Sequence, residues 1–207
     1  DCDYLLVPTS HTYDLVKSWN PRAKKILQVP ISVDTEKFKF CPEHRAELRK
    51  KHNIEDRTVS FYLGKFGYLY YTEKEFAIFC KLLHQHNPNF YFLVVTPNPL
   101  QEVESAFLEQ GFSKKDFVIL PKIPYNEVES YISSADLGLV AIPPFPSQKY
   151  RTPVKVGNYL SCSLPYLITK GIADDDVLAE KENVGVVFDS LEEKDFEKSL
   201  PALDKLL

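Results

Sequence analysis

The sequence contains no methionine and only four cysteines. The first shortage bears on where the chain begins, and the second on metal sites and disulfides. Without an initiating methionine, the chain is expected to be a processed or excised piece of a longer protein, or to lack its first residues. The cysteines lie far apart and form no CxxC pair: Cys2, Cys41, Cys80 and Cys162. They therefore predict neither a zinc site nor a dense disulfide framework, and they fit a reducing compartment.

Long apolar runs and an excess of positive charge are also missing. No run approaches the ~18 apolar residues of a membrane span, and no signal segment opens the chain. The formal net charge of -4 argues against a general nucleic-acid-binding protein, because such proteins usually carry a basic excess. The 207 residues, 44 % hydrophobic and 26 % charged, are typical of a soluble globular protein with one or two domains.

Common catalytic and metal-binding patterns are absent as well. The sequence has no GxSxG nucleophile elbow. His84 and His86, two positions apart on a predicted helix, are expected at the surface. The run Asp174–Asp176 resembles a metal site, but three carboxylates at a helix start more often complement the helix dipole. No histidine has metal-ligand spacing with acidic or cysteine neighbours, and the five are His11, His44, His52, His84 and His86. The sequence therefore predicts no metal.

What the chain does contain, from residue 57 onward, is a regular alternation of strands and helices. Thr72 and Glu75 have capping-box spacing, and Asn126 and Ser190 are predicted to cap later helices. This alternation, repeated five or six times, is typical of a doubly wound parallel α/β sheet, a Rossmann-like fold. Strands are predicted at 59–63, 90–96, 117–120, 137–142, 165–169 and 184–188, and helices at 72–87, 99–110, 126–135, 154–162 and after 190.

The first part of the chain is less regular. A short buried strand at 4–8, a helix capped by Thr9 or Ser10 and a strand at 25–29 are predicted. The apolar face of that helix is expected to comprise Tyr13, Leu15, Val16 and Trp19. A connector at 30–40 precedes a charged helix at 42–52, whose arginines and lysines predict a solvated face. We therefore expect residues 1–40 to be the end of a preceding N-terminal domain plus a connector, and 41–207 to be a separate Rossmann-like domain.

Polar residues follow three predicted strands, where open parallel sheets bind ligands. In the segment Gly64–Gly67, the glycines permit close backbone approach and Lys65 is able to neutralise a phosphate, although a purely structural turn is about as plausible. The segment 120–124, with Lys122 and Ile123, suits a flat base, although a rigid loop is the simpler interpretation.

The third strand end lies in the segment 145–176. Thr152 and Pro153 suit a helix start, where free N–H groups near Val154 and Lys155 would meet an anion. Asn158 follows on the same helix, and Gly171 and Asp174 lie on the next loop. An ordinary βαβ connection is the alternative interpretation of this segment.

Four segments together resemble the C-terminal, donor-binding half of retaining GT-B glycosyltransferases, the large bacterial group 1 or family 4-like class. The segment 29–38 resembles an inter-domain "PNGVD…F" motif, and 64–75 resembles a glycine-rich "GS.G.WY..EE" loop. The segment 152–165, TPVKVGNYLSCSLP, resembles "sPtKxgEYLAcGlPvi", and 170–175 resembles "nkGigDvd".

The resemblance implies a site for a nucleoside-diphosphate sugar that needs no metal or other cofactor. The diphosphate would lie against Gly64, Lys65 and Gly67 and against the helix start at Val154 and Lys155. The base would meet Lys122 and Ile123, the ribose Asn158, and the sugar-side loop would include Gly171 and Asp174. No catalytic residue is identified.

The resemblance also implies partners and a location. It implies a missing N-terminal acceptor domain, a cytoplasmic protein, and a full-length form for which peripheral association with the inner face of the membrane is expected. No nucleic-acid partner is implied.

The sequence departs from the family pattern at the site. Asn158 replaces the usual helix glutamate, Tyr150 replaces its partner eight residues earlier, and Ser163 replaces the helix-ending glycine. The main expectation is sugar transfer to a polysaccharide or lipid-linked acceptor, with this fragment inactive alone. The alternative is a degenerate, non-catalytic nucleotide- or partner-binding module. A sugar-nucleotide epimerase is disfavoured, because no acid and base pair can be placed.

Overall fold

The structure, a computed structural model, describes residues 2–207, so that Asp1 lies outside the described part. Two parallel sheets organise it. The smaller pairs β1 (Tyr4–Val7) with β2 (Lys25–Gln28). The larger has six strands, β3 (Thr58–Leu63), β4 (Phe90–Val95), β5 (Phe117–Leu120), β6 (Leu137–Val140), β7 (Tyr166–Thr169) and β8 (Gly185–Phe188).

The order of the larger sheet is β5-β4-β3-β6-β7-β8. Counted from β3, this is the 3-2-1-4-5-6 order of a doubly wound α/β fold. The predicted fold class is therefore confirmed. All six residues of the central strand β4 are buried, as expected of a strand covered on both faces.

Eight helices lie within the described residues. They are α1 (Ser10–Ser18), α2 (Pro42–His52), α3 (Glu73–His86), α4 (Leu100–Glu109), α5 (Val128–Ser134), α6 (Val154–Ser161), α7 (Asp175–Lys181) and α8 (Glu193–Leu206), with a 3-10 turn at Gln148–Tyr150. Helices α3, α4 and α8 contribute to the core on one face of the larger sheet, and α2, α5, α6 and α7 to the core on the other. Within the described residues, no helix combines the length and apolar character needed to cross a bilayer.

Helix α3 follows the sequence prediction closely. The Thr72 hydroxyl accepts a hydrogen bond from the Glu75 N–H, and the Glu75 carboxylate accepts one from the Thr72 N–H at 2.8 Å. The predicted buried side, which includes Phe76 and Leu83, is buried. The capping box is therefore confirmed, because its residues lie three positions apart and need no distant partner.

Two other predicted caps are wrong. Helix α5 begins after Glu127 without a side-chain cap, so Asn126 does not cap it. Helix α8 begins after Glu192, and the Ser190 hydroxyl instead donates to Asp195 at 2.7 Å. Each helix starts later than predicted, and this moves the candidate cap away from the first free N–H groups.

The start of the chain is less buried than predicted. Tyr4 and Leu6 on β1 are 60 % and 67 % exposed, and Trp19, expected on the apolar face of α1, is 67 % exposed. A two-stranded sheet has little area with which to cover its own faces. The prediction of a buried strand is therefore wrong, although both strands and α1 are present, and the Thr9 hydroxyl caps α1.

The connector packs on the larger unit. Phe38 is fully buried in its core, and the Phe38 carbonyl accepts a hydrogen bond from the Ser161 hydroxyl on α6. The division at residue 40 stays a prediction, but the structure places the side chain of Phe38 with the C-terminal unit.

Helix α2 is not simply a solvated face. Arg49 is 8 % exposed, and its guanidinium donates to Asp136 at 3.1 Å. Arg45 also pairs with Asp136, which in addition accepts a hydrogen bond from the Val59 N–H at 2.8 Å. Asp136 thus joins α2 to the start of β3. Patterning of α2 alone missed this, because Asp136 lies some ninety positions further along the chain.

Close packing between β6 and α6 gives a test of the fold. A Cβ atom at Gly138 would lie 2.4 Å from the Tyr159 ring, whereas one at Gly157 would lie 3.5 Å from Val33. We expect Gly138→Ala to lower the free energy of unfolding by about 1–3 kcal/mol. Gly157→Ala, the matched control inside a helix, should be neutral or stabilising by up to about 1 kcal/mol. Equal effects in denaturant unfolding would contradict the packing.

Candidate functional site

The strand order reverses between β3 and β6, and this is where doubly wound sheets bind ligands. The two strands pair only at Ser60–Leu137 and Phe61–Gly138, and then separate. A cavity of about 470 Å³ opens beyond them. Its wall consists of residues after β3, residues after β6 and the start of α6, which are Leu63, Gly64, Lys65, Tyr70, Ile142, Gln148, Arg151, Thr152, Pro153, Val154, Lys155 and Asn158.

The cavity gathers half of the residues proposed from the sequence. The segments after β3 and at the start of α6 meet in it, and they contribute Gly64, Lys65, Val154, Lys155 and Asn158. Gly67, Lys122, Ile123, Gly171 and Asp174 do not line it. The structure thus brings together the predicted diphosphate-side residues other than Gly67, and places the proposed base-side pair and sugar-side loop outside the wall.

The charge of the wall has one sign. Lys65, Arg151 and Lys155 line the cavity, and no aspartate or glutamate does. The first turn of α6 adds N–H groups that have no acceptor within the helix. Positive side chains and a helix N-terminus together favour an anionic ligand.

Lys155 is the most unusual of these cations. Its ammonium is buried and has no hydrogen-bond partner among the described residues. It lies 4.5 Å from the centroid of the Tyr62 ring, so that a cation–π contact is its main local interaction. Burial lowers the pKa of Lys155 from 10.5 to about 7. An unpaired buried ammonium is costly to the fold, and an entering anion would relieve that cost.

Gly64 makes room for this arrangement. A Cβ atom there would lie 2.9 Å from the Lys155 ammonium and 2.9 Å from the Tyr62 hydroxyl. That hydroxyl donates to the Lys65 carbonyl at 2.6 Å and so fixes the backbone next to Gly64. The glycine in this segment is therefore explained by close approach, and the cavity floor depends on it.

Gln148 is a site residue that the sequence did not reveal. Its side chain is 1 % exposed, and its amide donates to the Leu69 carbonyl at 2.9 Å. The backbone carbonyl of Gln148 accepts a hydrogen bond from the Ala173 N–H at 3.2 Å. A single residue thus connects the loops after β3, β6 and β7. No local pattern marks a glutamine in a proline-rich loop for such a role.

The proposed sugar-side residues have other partners. One oxygen of Asp174 accepts from the Ser10 N–H at 2.8 Å and from the Gln28 amide at 3.2 Å, and the other accepts from the Ser10 hydroxyl. The Gly171 N–H donates to Asp176 at 2.7 Å. The Asp174 carboxylate is therefore fully engaged by the β1–α1–β2 unit.

Asp175 completes this acidic run in an unexpected way. It is 8 % exposed, and one of its carboxylate oxygens has no hydrogen-bond partner among the described residues. Burial, followed by repulsion from Asp174 and Asp176, raises the pKa of Asp175 from 3.8 to about 7. Asp175 and Asp176 lie in the first turn of α7, where carboxylates complement the helix dipole as expected, although burial disfavours the charged form of Asp175. No group of three or more metal-binding side chains occurs within residues 2–207.

Comparison with solved structures identifies the class of fold. No protein-family profile matches the sequence, and no curated protein matches it significantly. WaaG, a glycosyltransferase involved in lipopolysaccharide biosynthesis, aligns with 98 % of this chain and 54 % of its own at a TM-score of 0.73 and 18 % identity. HepE of Anabaena, in complex with UDP, aligns with 98 % of this chain and 54 % of its own at a TM-score of 0.74 and 15 % identity.

A third structure shows which half is shared. The C-terminal domain of LpcC, a glycosyl transferase group 1 family protein of Francisella tularensis, aligns with 84 % of this chain and 90 % of its own. The TM-score is 0.62 and the identity 17 %. The chain therefore has the fold of a C-terminal GT-B glycosyltransferase domain, and spans about half the length of WaaG and HepE. The resemblance seen in the sequence is confirmed at the level of the fold.

The buried ammonium predicts a pH-dependent stability effect. Because the pKa of Lys155 is lower when folded than the 10.5 of an exposed lysine, its penalty is full below about pH 7 and fades toward pH 10.5. Lys155→Met should therefore raise the melting temperature most at pH 6 and least at pH 10. One pKa unit corresponds to about 1.4 kcal/mol, so the expected gain is on the order of several kcal/mol before lost cation–π contact is subtracted.

Lys115→Met is the control for this measurement, since Lys115 is exposed. The melting temperature of the Lys115→Met variant should equal that of the unmodified chain at every pH. A Lys155→Met chain that is destabilised at pH 6 would show that the ammonium is satisfied in the folded state.

Proposed function

We propose that this chain is the donor-binding half of a glycosyltransferase. Its substrate is a nucleoside-diphosphate sugar, and the full-length protein transfers the sugar to a polysaccharide or lipid-linked acceptor. The observation that carries the proposal is the cavity at the strand-order reversal, whose charged lining residues are all cations, one of them a lysine with a buried ammonium that has no hydrogen-bond partner among the described residues. The comparison with HepE, solved in complex with UDP, supports it.

The diphosphate occupies the space between Gly64, Lys65 and the N-terminus of α6. Backbone N–H groups near Val154 and the ammonium groups of Lys65 and Lys155 stabilise the negative charge that grows on the leaving diphosphate as the glycosidic bond breaks. The positive charge is supplied by side chains and by a helix dipole, so this role needs no metal ion.

Lys155 makes its contribution by changing partners. In the structure its ammonium lies against the Tyr62 ring. A diphosphate offers a stronger, charge-assisted hydrogen bond, so the flexible side chain exchanges the ring for a phosphate oxygen. The ammonium is sheltered from water before this exchange, and it therefore loses little hydration when it meets the ligand.

Asn158 bonds the ribose, and the backbone at Lys122 and Ile123 receives the base. Asn158 is 9 % exposed and lines the cavity, so its amide is placed for one or two hydrogen bonds without adding charge. Lys122 and Ile123 lie outside the cavity wall, and a nucleotide would have to extend beyond the cavity to reach them. Gly67 supports the loop rather than the ligand, with a left-handed φ of 81°.

The acceptor, the N-terminal domain and the location belong to the full-length protein. Since this chain spans about half of WaaG and HepE, we propose that a second α/β domain provides the acceptor site. A cytoplasmic protein that associates peripherally with the inner face of the membrane is consistent with a lipid-linked acceptor.

A second candidate function is a non-catalytic module that binds a nucleotide or partner. The observation that favours it is the pair of departures at Asn158 and Tyr150. Tyr150 lies in the 3-10 turn and does not line the cavity, so no carboxylate replaces the missing glutamates there. A full-length protein that binds nucleotide sugars but transfers no sugar to any acceptor would identify this second function.

Titration of the chain with UDP- and GDP-sugars at pH 6 and pH 8.5 tests the proposed site. Lys155→Met and Lys65→Ala should each weaken binding about tenfold or more, as expected for a lost charge-assisted hydrogen bond. Because the free Lys155 has a pKa of about 7, binding to its protonated form should weaken above neutral pH, by up to about tenfold per pH unit.

Lys155→Met should remove this pH dependence, whereas Lys115→Met should leave both affinity and pH dependence unchanged. Calorimetry measures the affinities and the proton uptake together. If the unmodified chain binds none of the nucleotide sugars, the proposal fails.

A further inference from the structure

A continuous set of contacts joins the N-terminal unit, β1–α1–β2, to the mouth of the cavity. We propose that Asp174 and Gln148 are positioning residues that transmit the placement of this unit to the loop 64–71 beside the cavity. For its functional meaning the inference rests on the proposed nucleotide-sugar site, but the contacts themselves are independent of any ligand.

The first contact holds the N-terminal unit to the loop after β7. The Asp174 carboxylate lies at the N-terminus of α1, where it accepts hydrogen bonds from the N–H and the hydroxyl of Ser10. The amide of Gln28, the last residue of β2, adds a third hydrogen bond at 3.2 Å. A carboxylate at a helix N-terminus also benefits from the helix dipole. All three donors come from the N-terminal unit, so a movement of that unit would displace the Asp174 carboxylate.

The second contact passes from this loop to the 3-10 turn. Ala173, next to Asp174, has a left-handed φ of 51°, which an alanine adopts only when its surroundings impose it. In that conformation its N–H donates to the Gln148 carbonyl at 3.2 Å. Ala173 is 1 % exposed, so a displacement of Asp174 cannot be absorbed at Ala173 without disturbing buried packing.

The third contact reaches the cavity. The Gln148 side-chain amide donates to the Leu69 carbonyl at 2.9 Å, and Gln148 itself lines the cavity. Phe66 and Tyr71 hold the two ends of the loop in the core, but its middle has little packing, since Leu69 is 43 % exposed and Tyr68 is fully exposed with a φ of 56°. On its other side the loop is held by Asn98, which accepts from the Phe66 N–H at 3.1 Å. Gln148 is therefore the anchor on the cavity side.

These three contacts give a mechanism by which the N-terminal unit sets the shape of the site. When Ser10 and Gln28 hold Asp174, Gln148 is fixed by Ala173 and in turn fixes Leu69, so that the part of the loop around Leu69 is ordered beside the cavity. When the N-terminal unit moves away, the loop loses this support. Donor binding and the position of the N-terminal unit are then coupled, and coupling of this kind acts equally in both directions.

Amide hydrogen exchange of the ligand-free chain tests the inference without requiring nucleotide binding. The N–H groups of Phe66, Gly67 and Tyr70 are hydrogen-bonded in the loop and serve as reporters. Asp174→Ala removes the carboxylate that accepts from Ser10 and Gln28. It should speed the exchange of the reporter amides about tenfold. Gln148→Met, similar in length but without the donor, should do the same, and the milder Ser10→Ala should give a smaller increase.

Asp204→Asn is the matched control, because Asp204 is a carboxylate that pairs with His86 away from the cavity wall. It should leave the reporter amides unchanged. A purely local role for Asp174 would speed exchange only within 170–176 and around α1. In that case, with Phe66, Gly67 and Tyr70 unaffected by Asp174→Ala and Ser10→Ala, the inference is overturned.

A double-mutant cycle in nucleotide-sugar affinity completes the experiment. Asp174→Ala and Gln148→Met should each weaken binding about tenfold, and the double variant should be no weaker than either alone, since both act through one chain of contacts. Additive losses would contradict the inference. Absence of binding by the unmodified chain would overturn the proposed function, whereas the exchange results would still decide the coupling.

Discussion

The separation of β3 from β6 after only two paired positions is the constraint on which the site depends. The chain leaves β3 toward β4 and leaves β6 toward β7, in opposite directions along the sheet, and this opens a crevice beyond the ends of the two strands. Tyr159 supports the gap from below, with its hydroxyl 3.4 Å from the Phe61 carbonyl and its ring against Gly138. Gly138 makes room for the Tyr159 ring at the last paired position of the two strands, and the Tyr159 hydroxyl contacts the carbonyls of Phe61 on β3 and Leu139 on β6, directly below the cavity.

The cations around this gap show that the fold gives up stability at the site. Lys155 is held against an aromatic ring where no carboxylate reaches it, although the chain has more acidic than basic residues overall. Elsewhere its buried cations are carefully satisfied, since Arg49 bonds Asp136 and three backbone carbonyls. Arg49 is thus a cation satisfied by the fold, whereas the Lys155 ammonium has only an aromatic ring beside it, as the proposed anion site requires.

The sequence predicted what depends on local pattern and missed what depends on distant partners. Alternating apolar segments placed all six strands of the larger sheet, and residues three positions apart placed the cap of α3. The approach of Lys155 to Gly64 followed from fold logic, because both come after adjacent strands. Gln148, the pairing of Arg49 with Asp136 and the engagement of Asp174 by Ser10 were not predictable, because each joins segments about 80 or more positions apart.

The pKa of Lys155 has a chemical consequence of its own. Because burial lowers the pKa of Lys155, a larger share of this side chain is a free amine, which is a nucleophile, near neutral pH than is the case for an exposed lysine. The amine is covered by Tyr62 and Gly64 while the cavity floor is closed. Acylating reagents will therefore modify it only during transient opening, and once modified it can no longer accept a proton. Covalent footprinting at this one nitrogen thus records how often the floor of the cavity opens.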